Sequence, residues 1–376
     1  GFGELAQTWS VPVVAKINTG ADRYVLVFGG GYSGDDAGDN VPDLDKVPPS
    51  FGKDAANRPP KDVPGTDDDE GNAIYVVDAE TGELIWKATG GGTGFDSGAK
   101  AYRHPDMVDS IPSELAAVDT NGNGLIDRIY FGDTGGVVWR ADATGKSGSP
   151  PSVAAELGTE ISQWTVTPLL DAGRHFDSNA DRRFFNRPDV VLSRDSTGGF
   201  DAVLIGSGDR EHPLGTSVQN SFYMIKDRFT LSGVPPSTTT TPDNLADLTS
   251  DCVSNASCDA TTQANLANGW FFHLQGSGEK NLASALTLGG KVFFTSFSPS
   301  PPAGGVCGLS EGMGKLYAVA LQDARGLYNY DTSDDGNERS DNLESGGIPV
   351  EVIPIGEDKL LIQGQRAGEG EGGNIQ

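Results

Sequence analysis

Asn72-Ala73-Ile74-Tyr75-Val76-Val77-Asp78 runs into Ala79-Glu80-Thr81-Gly82 and returns through Glu83-Leu84-Ile85-Trp86. β-Branched and aromatic residues on both sides of an Asp-x-x-Thr-Gly turn make this a hairpin. The turn has a mechanism: Asp and Thr side chains bond nearby backbone N–H groups, and Gly takes a positive φ without steric cost. Weaker copies follow. They are Gly136-Val-Val-Trp139-Arg140-Ala-Asp142-Ala-Thr144-Gly145, Ser221-Phe-Tyr223-Met-Ile-Lys-Asp227 and Gly314-Lys-Leu-Tyr317-Ala-Val-Ala320. Repeated units that each bury a face on a like neighbour are the logic of a β-propeller.

Short apolar runs at near-regular spacing surround these hairpins. Candidate strands include Val11–Ile17, Tyr24–Phe28, Leu115–Val118, Arg128–Gly132, Gln163–Leu170, Val190–Ser193, Ala202–Gly206, Trp270–Leu274 and Val292–Ser296, and the pattern continues through Val350–Ile355 and Lys359–Gln363. With 52 Gly and 22 Pro, many turns and few long helices are expected. The spacing predicts one all-β propeller domain over 1–376. Insertions interrupt it at about 32–71, 229–269 and 331–347, stretches too long for ordinary connections. Both termini look like cuts from something longer, or a processed form.

The balance of 27 Lys+Arg against 53 Asp+Glu leaves a net charge of −26. Such a surface repels nucleic acid and anionic lipid and suits divalent cations. No apolar run approaches the ~18 residues of a membrane span. Among three cysteines, Cys252 and Cys258 can close a small ring in a polar loop, and Cys307 can compete for either. No Cys/His cluster with zinc spacing occurs.

One stretch carries site chemistry: Asp119-Thr-Asn121-Gly-Asn123-Gly124-Leu125-Ile-Asp127. Side-chain oxygens fall at loop positions 1, 3, 5 and 9, glycine falls at 6, and Leu125 at 7 offers its carbonyl, which is the spacing of a calcium loop. Position 12 is Tyr130 rather than the bidentate Glu of an EF-hand, and apolar, strand-like segments flank the loop. A hairpin wrapped around one Ca²⁺ is therefore expected, held by Asp119, Asn121, Asn123, Leu125 and Asp127. Only two of these are charged, which places the affinity toward the weak end, on the order of 10⁻⁵ to 10⁻³ M.

Other clusters read more plainly. Asp331-Thr-Ser333-Asp-Asp335-Gly336 ends with Arg339 at position 9, and Asp177-Ser-Asn179-Ala-Asp181 lacks the glycine. Asp67-Asp-Asp-Glu70 reads as a solvated face. Gly206-Ser207-Gly-Asp209-Arg210-Glu211-His212 lacks the second half of a nucleophile elbow and reads as a charged turn held by ion pairs rather than a hydrolase triad.

In this order, the calcium loop, Ile129-Tyr-Phe-Gly132-Asp133, Gly135-Gly-Val-Val-Trp139-Arg140, Gly206-Ser-Gly-Asp-Arg-Glu-His-Pro-Leu214 and Gly278-Glu-Lys280 resemble the C-terminal β-propeller domain of the PilY/PilC type IV pilus tip proteins. Val27-Phe-Gly-Gly-Gly-Tyr32 and the Ile74–Trp86 hairpin belong to the same resemblance. It implies a modified, about seven-bladed propeller on the surface of a Gram-negative bacterium, the C-terminal part of a larger, non-enzymatic protein. The expected partners are type IV pilus components (minor pilins) and host or abiotic surfaces, with no nucleic acid and no direct membrane insertion. Calcium in this loop is then tied to pilus extension and retraction, adhesion and twitching motility. The chain contains no Arg-Gly-Asp tripeptide, so integrin binding is not implied.

Two rivals share parts of the pattern. The Ile74–Trp86 hairpin also resembles blades of quinone-dependent dehydrogenases, but the adjacent Cys-Cys pair of those enzymes is missing. Integrin-like propellers carry similar calcium loops that only stiffen a blade.

Overall fold

The computed structural model describes residues 1–33, 68, 70–120, 122–142, 161–173, 181–228, 239–254, 256–300, 312–330, 336–343, 346–355 and 359–361. Most of the expected 32–71 insertion, Asn121, Cys307 and residues 331–335 lie outside these. The described chain is built of β-strands, with one short α-helix, α1 (Ala260–Asn265), capped by Asp259 accepting from Thr262 N at 2.7 Å.

The strands form successive sheets in chain order. The first holds β1 (Val13–Asn18), β2 (Asp22–Gly29), β3 (Ala73–Asp78), β4 (Leu84–Thr89), β5 (Gly94–Asp96) and β6 (Ala101–Arg103), in the order β1-β2-β3-β4-β6-β5. The second is the meander β7 (Ala116–Val118), β8 (Arg128–Gly132), β9 (Val137–Asp142) and β10 (Thr165–Asp171). The third contains β11 (Asp189–Asp195), β12 (Gly198–Gly206), β13 (Ser221–Asp227), β14 (Ala246–Asp247) and β15 (Gly269–His273), with β14 running parallel to β15. The fourth is the meander β16 (Leu286–Leu288), β17 (Lys291–Ser298), β18 (Met313–Ala320) and β19 (Ser340–Asn342). A final pair, β20 (Ile353–Ile355) and β21 (Lys359–Leu361), follows.

Strand parity explains how the sheets stack. Successive side chains point to opposite faces. In β8, Ile129 and Phe131 join Ile17, Val76 and Trp86 of the first sheet, whereas Tyr130 between them joins Val203 and Tyr223 of the third. In β13, Tyr223 and Ile225 look back to the second sheet, while Phe222 and Met224 pack with Phe294 and Val319 of the fourth. The rings of Phe222 and Phe294 stack at 3.8 Å and 6° across that junction. The middle sheets thus bury both faces, so their strands read as continuous apolar runs rather than alternating ones. This is a propeller-like all-β arrangement of face-packed meanders.

The deciding hairpin folds as its residues require. Asp78 Oδ1 accepts from the backbone of Glu80 (3.0 Å) and Thr81 (2.9 Å), and Gly82 takes φ +71°. The 229–269 segment carries α1, β14 and a Cys252–Cys258 disulfide, one of the pairings the sequence allowed. One expectation is corrected. Asp68 is not part of a solvated face: it is buried, and its Oδ2 accepts from Ser110 N at 2.7 Å and Ser110 Oγ at 2.6 Å. Its neighbours Asp67 and Asp69 lie outside the described residues.

Candidate functional site

The Asp119–Asp127 stretch is the connection between β7 and β8, which pair antiparallel with Val118 opposite Arg128. Asp127 N closes the hairpin on Val118 O at 2.8 Å, and Ile126 N reaches across to Lys16 O in β1 at 3.0 Å. Asp119 folds inward: its Oδ1 accepts from Gly122 N and its Oδ2 from Gly124 N, both at 2.7 Å. Gly122 and Gly124 sit at φ +74° and +86°, backbone that glycine adopts readily. Asn123 Oδ1 accepts from Leu125 N at 2.8 Å. From the other end, the fully buried Asp127 accepts at Oδ2 from Thr120 N (2.7 Å) and Thr120 Oγ1 (2.5 Å). Carboxylates from both ends of one loop therefore organise its backbone. The donor set is all oxygen, which suits a hard cation such as Ca²⁺. Asn121 lies outside the described residues.

Behind the loop is a polar network that the sequence reading missed. Arg128 Nη1 donates to Thr120 Oγ1 at 3.2 Å and to Asp201 Oδ2 at 3.4 Å. The Tyr130 hydroxyl lies 2.9 Å from Asp201 Oδ2 and 2.8 Å from Asp227 Oδ2, and Arg140 Nη1 donates to both Asp227 oxygens at 2.9 Å. Arg140 also pairs with Asp142. All of these residues except the half-buried Thr120 are buried. The signal was present as register: Arg128 stands opposite Asp142 and Tyr130 opposite Arg140, on one face of an otherwise apolar sheet. Three carboxyls meet two guanidiniums here, and burial pushes Asp201 up to about 6 in spite of Arg128.

The Asp209–His212 segment is the charged turn expected. Asp209 Oδ1 accepts from Glu211 N (3.0 Å) and His212 N (3.1 Å). Ser207 is buried and its Oγ bonds Asn220 Oδ1 at 3.1 Å. Beside the turn is a cavity of about 30 Å³ lined by Asp181, Arg183, Asp209, His212, Asn220 and Lys280. Asp181, the described end of the Asp177–Asp181 run, pairs with Arg183 Nη2 at 2.9 Å. Lys280 Nζ donates to the carbonyls of Pro213, Gly215 and Gly278 at 2.7–2.8 Å, and burial pushes its ammonium down to about 8 against the pull of Asp209. Among the described residues, Asp209, Glu211 and His212 form a group close enough to hold an ion.

No protein-family model matches the chain. A type IV pilus biogenesis factor PilY1 homolog from Xylella fastidiosa is 24% identical over 319 residues, covering 75% of this chain and 19% of that protein. The crystal structure of the Pseudomonas aeruginosa PilY1 C-terminal domain superposes with a TM-score of 0.61 at 16% identity, covering 96% of this chain and 72% of that one. The chain resembles the PilY1 C-terminal domain. At that identity the likeness to the PilY1 structure is one of fold, and the match to the PilY1 homolog spans less than a fifth of its length. A quinohemoprotein alcohol dehydrogenase from Comamonas testosteroni aligns with a TM-score of 0.35 at 11% identity, over 77% of this chain and 45% of its own, too slight a similarity to bear on fold or chemistry.

Proposed function

We propose that this chain is the calcium-binding, about seven-bladed propeller domain of a type IV pilus tip and biogenesis protein, a binding module rather than an enzyme. It acts at the cell surface with minor pilins and host or abiotic surfaces as partners. It regulates pilus extension and retraction and supports adhesion and twitching motility. The observation that carries this reading is the hairpin loop in which Asp119 and Asp127 already fold onto one short backbone, within a fold like that of PilY1.

Asp119, Asn121, Asn123 and Asp127 would hold the ion with the Leu125 carbonyl. Calcium supplies the positive charge that draws the two carboxylates together. Asp119 orders the Gly122 and Gly124 amides, and Thr120 fixes the orientation of Asp127. Through Thr120 and Arg128 the loop touches the network between the second and third sheets, so ordering the loop biases that junction. The same burial of Asp127 favours a second reading, in which the ion only stiffens the hairpin.

Counting surface pili on the native bacterium separates the two. Asp119→Ala and Asp127→Ala should alter pilus number and twitching spread while protein levels stay constant. Normal piliation together with lost calcium binding would reduce the ion to a structural brace.

A further inference from the structure

We infer that the Asp209–Glu211–His212 turn is a second metal site, selective for a zinc-like ion, independent of the calcium loop. His212 Nδ1 lies 3.2 Å from Asp209 Oδ2 and 3.6 Å from Glu211 Oε2. Ligands on tetrahedral zinc, with bonds of 2.0–2.2 Å, stand about 3.3 Å apart. The two edges that meet at His212 Nδ1 are thus close to those of a zinc tetrahedron before any ion enters, and the three ligand atoms all lie within 4.8 Å of one another. One imidazole nitrogen with two carboxylates selects zinc over calcium, which takes oxygen ligands.

The groups behind the ligands suit the same assignment. Metal-bound carboxylates are typically hydrogen-bonded from behind. Here Tyr32 OH donates to Glu211, and the Arg183 guanidinium lies 3.7 Å from Asp209 Oδ2. Tyr32 is itself fixed against Trp9 and Phe185, and Lys280 pins the chain after His212 through the Pro213 and Gly215 carbonyls.

A separate observation points to a ligand in the cavity. The Arg183 side chain is 2% exposed, and its Nη1 makes no hydrogen bond. It lines the cavity that opens on Asp209 and His212, whose ~30 Å³ has room for two or so waters at about 10–15 Å³ each. A zinc-bound water or small anion in the fourth coordination position gives that donor its acceptor. On binding, zinc takes the Nδ1 lone pair, and a proton displaced from that nitrogen leaves to solvent.

The test is titration of the metal-stripped 376-residue chain with zinc chloride by calorimetry, in excess calcium so that the hairpin loop is satisfied. Cobalt(II) serves as a spectroscopic stand-in, reporting tetrahedral geometry by its visible absorption. The expected result is one zinc per chain, affinity largely lost in His212→Gln and Glu211→Gln, and lowered about 10–100-fold in Tyr32→Phe. Asp119→Ala should leave zinc binding unchanged. Tyr32→Phe keeps all three ligands, so it reports on the site even if His212→Gln folds poorly. Absence of zinc uptake by the wild type, uptake that survives in folded His212→Gln, or uptake lost in Asp119→Ala would each overturn the assignment.

Discussion

Tyr130 has one hydroxyl proton and two carboxylates within reach, Asp201 at 2.9 Å and Asp227 at 2.8 Å. A protonated Asp201 donating to Tyr130 while Tyr130 donates to Asp227 gives the hydroxyl one donor and one acceptor. Burial raises Asp201 to about 6 in the same sense. Because the folded value lies above the unfolded one, its stabilising contribution is full below about 4 and is lost as pH rises through about 6. Wild type should therefore lose stability relative to Asp201→Asn by on the order of 2 kcal/mol between pH 4 and 7, read from urea denaturation at intervals across that range. A pH-independent difference would show that Asp201 does not titrate there. At this scale the sequence was half legible. That Asp119 and Asp127 belong to one loop was readable from spacing alone, because the loop is local. Thr120, Arg128 and Asp201 were not, because the contact between Arg128 and Asp201 spans 73 positions.

Strand segments were the most legible level. Arg128–Gly132 has the bounds expected, and the strands Ala73–Asp78 and Ser221–Asp227 fall within the hairpin runs quoted from the sequence. The short strands Gly94–Asp96, Ala101–Arg103, Ala246–Asp247 and Ser340–Asn342 went unread. They have two or three residues each, too few for an alternating pattern, and they form only because an existing sheet edge accepts them. β14 pairs parallel to β15, and its segment is tied down nearby by the Cys252–Cys258 bridge. That bridge closes a ring of sequence separation 6, so the chain-entropy contribution is about 2 kcal/mol. Replacing both cysteines with serine should lower the urea-unfolding free energy by about that amount, with Cys252 adding a little more because it is buried against the core of the third sheet. An unchanged unfolding free energy would mean that this segment is not coupled to the global transition.

Across the whole molecule, repeat logic led to the right class of fold. Each of the two middle sheets buries one residue set on the preceding sheet and the other on the following one, as Tyr130 and Phe131 or Phe222 and Tyr223 show. The number of blades was not legible in this way, since hairpin copies degrade where insertions and added strands replace turn residues. The function proposed above rests, at this scale, on one nine-residue loop that bridges β1, β7 and the buried network beneath β8. The proposed dependence on calcium is open to direct measurement. Calorimetric titration of the chain with calcium should give one site with a Kd on the order of 10⁻⁵ to 10⁻³ M, abolished in Asp127→Ala. Heat that is absent in the wild type, or identical in Asp127→Ala, would contradict the account.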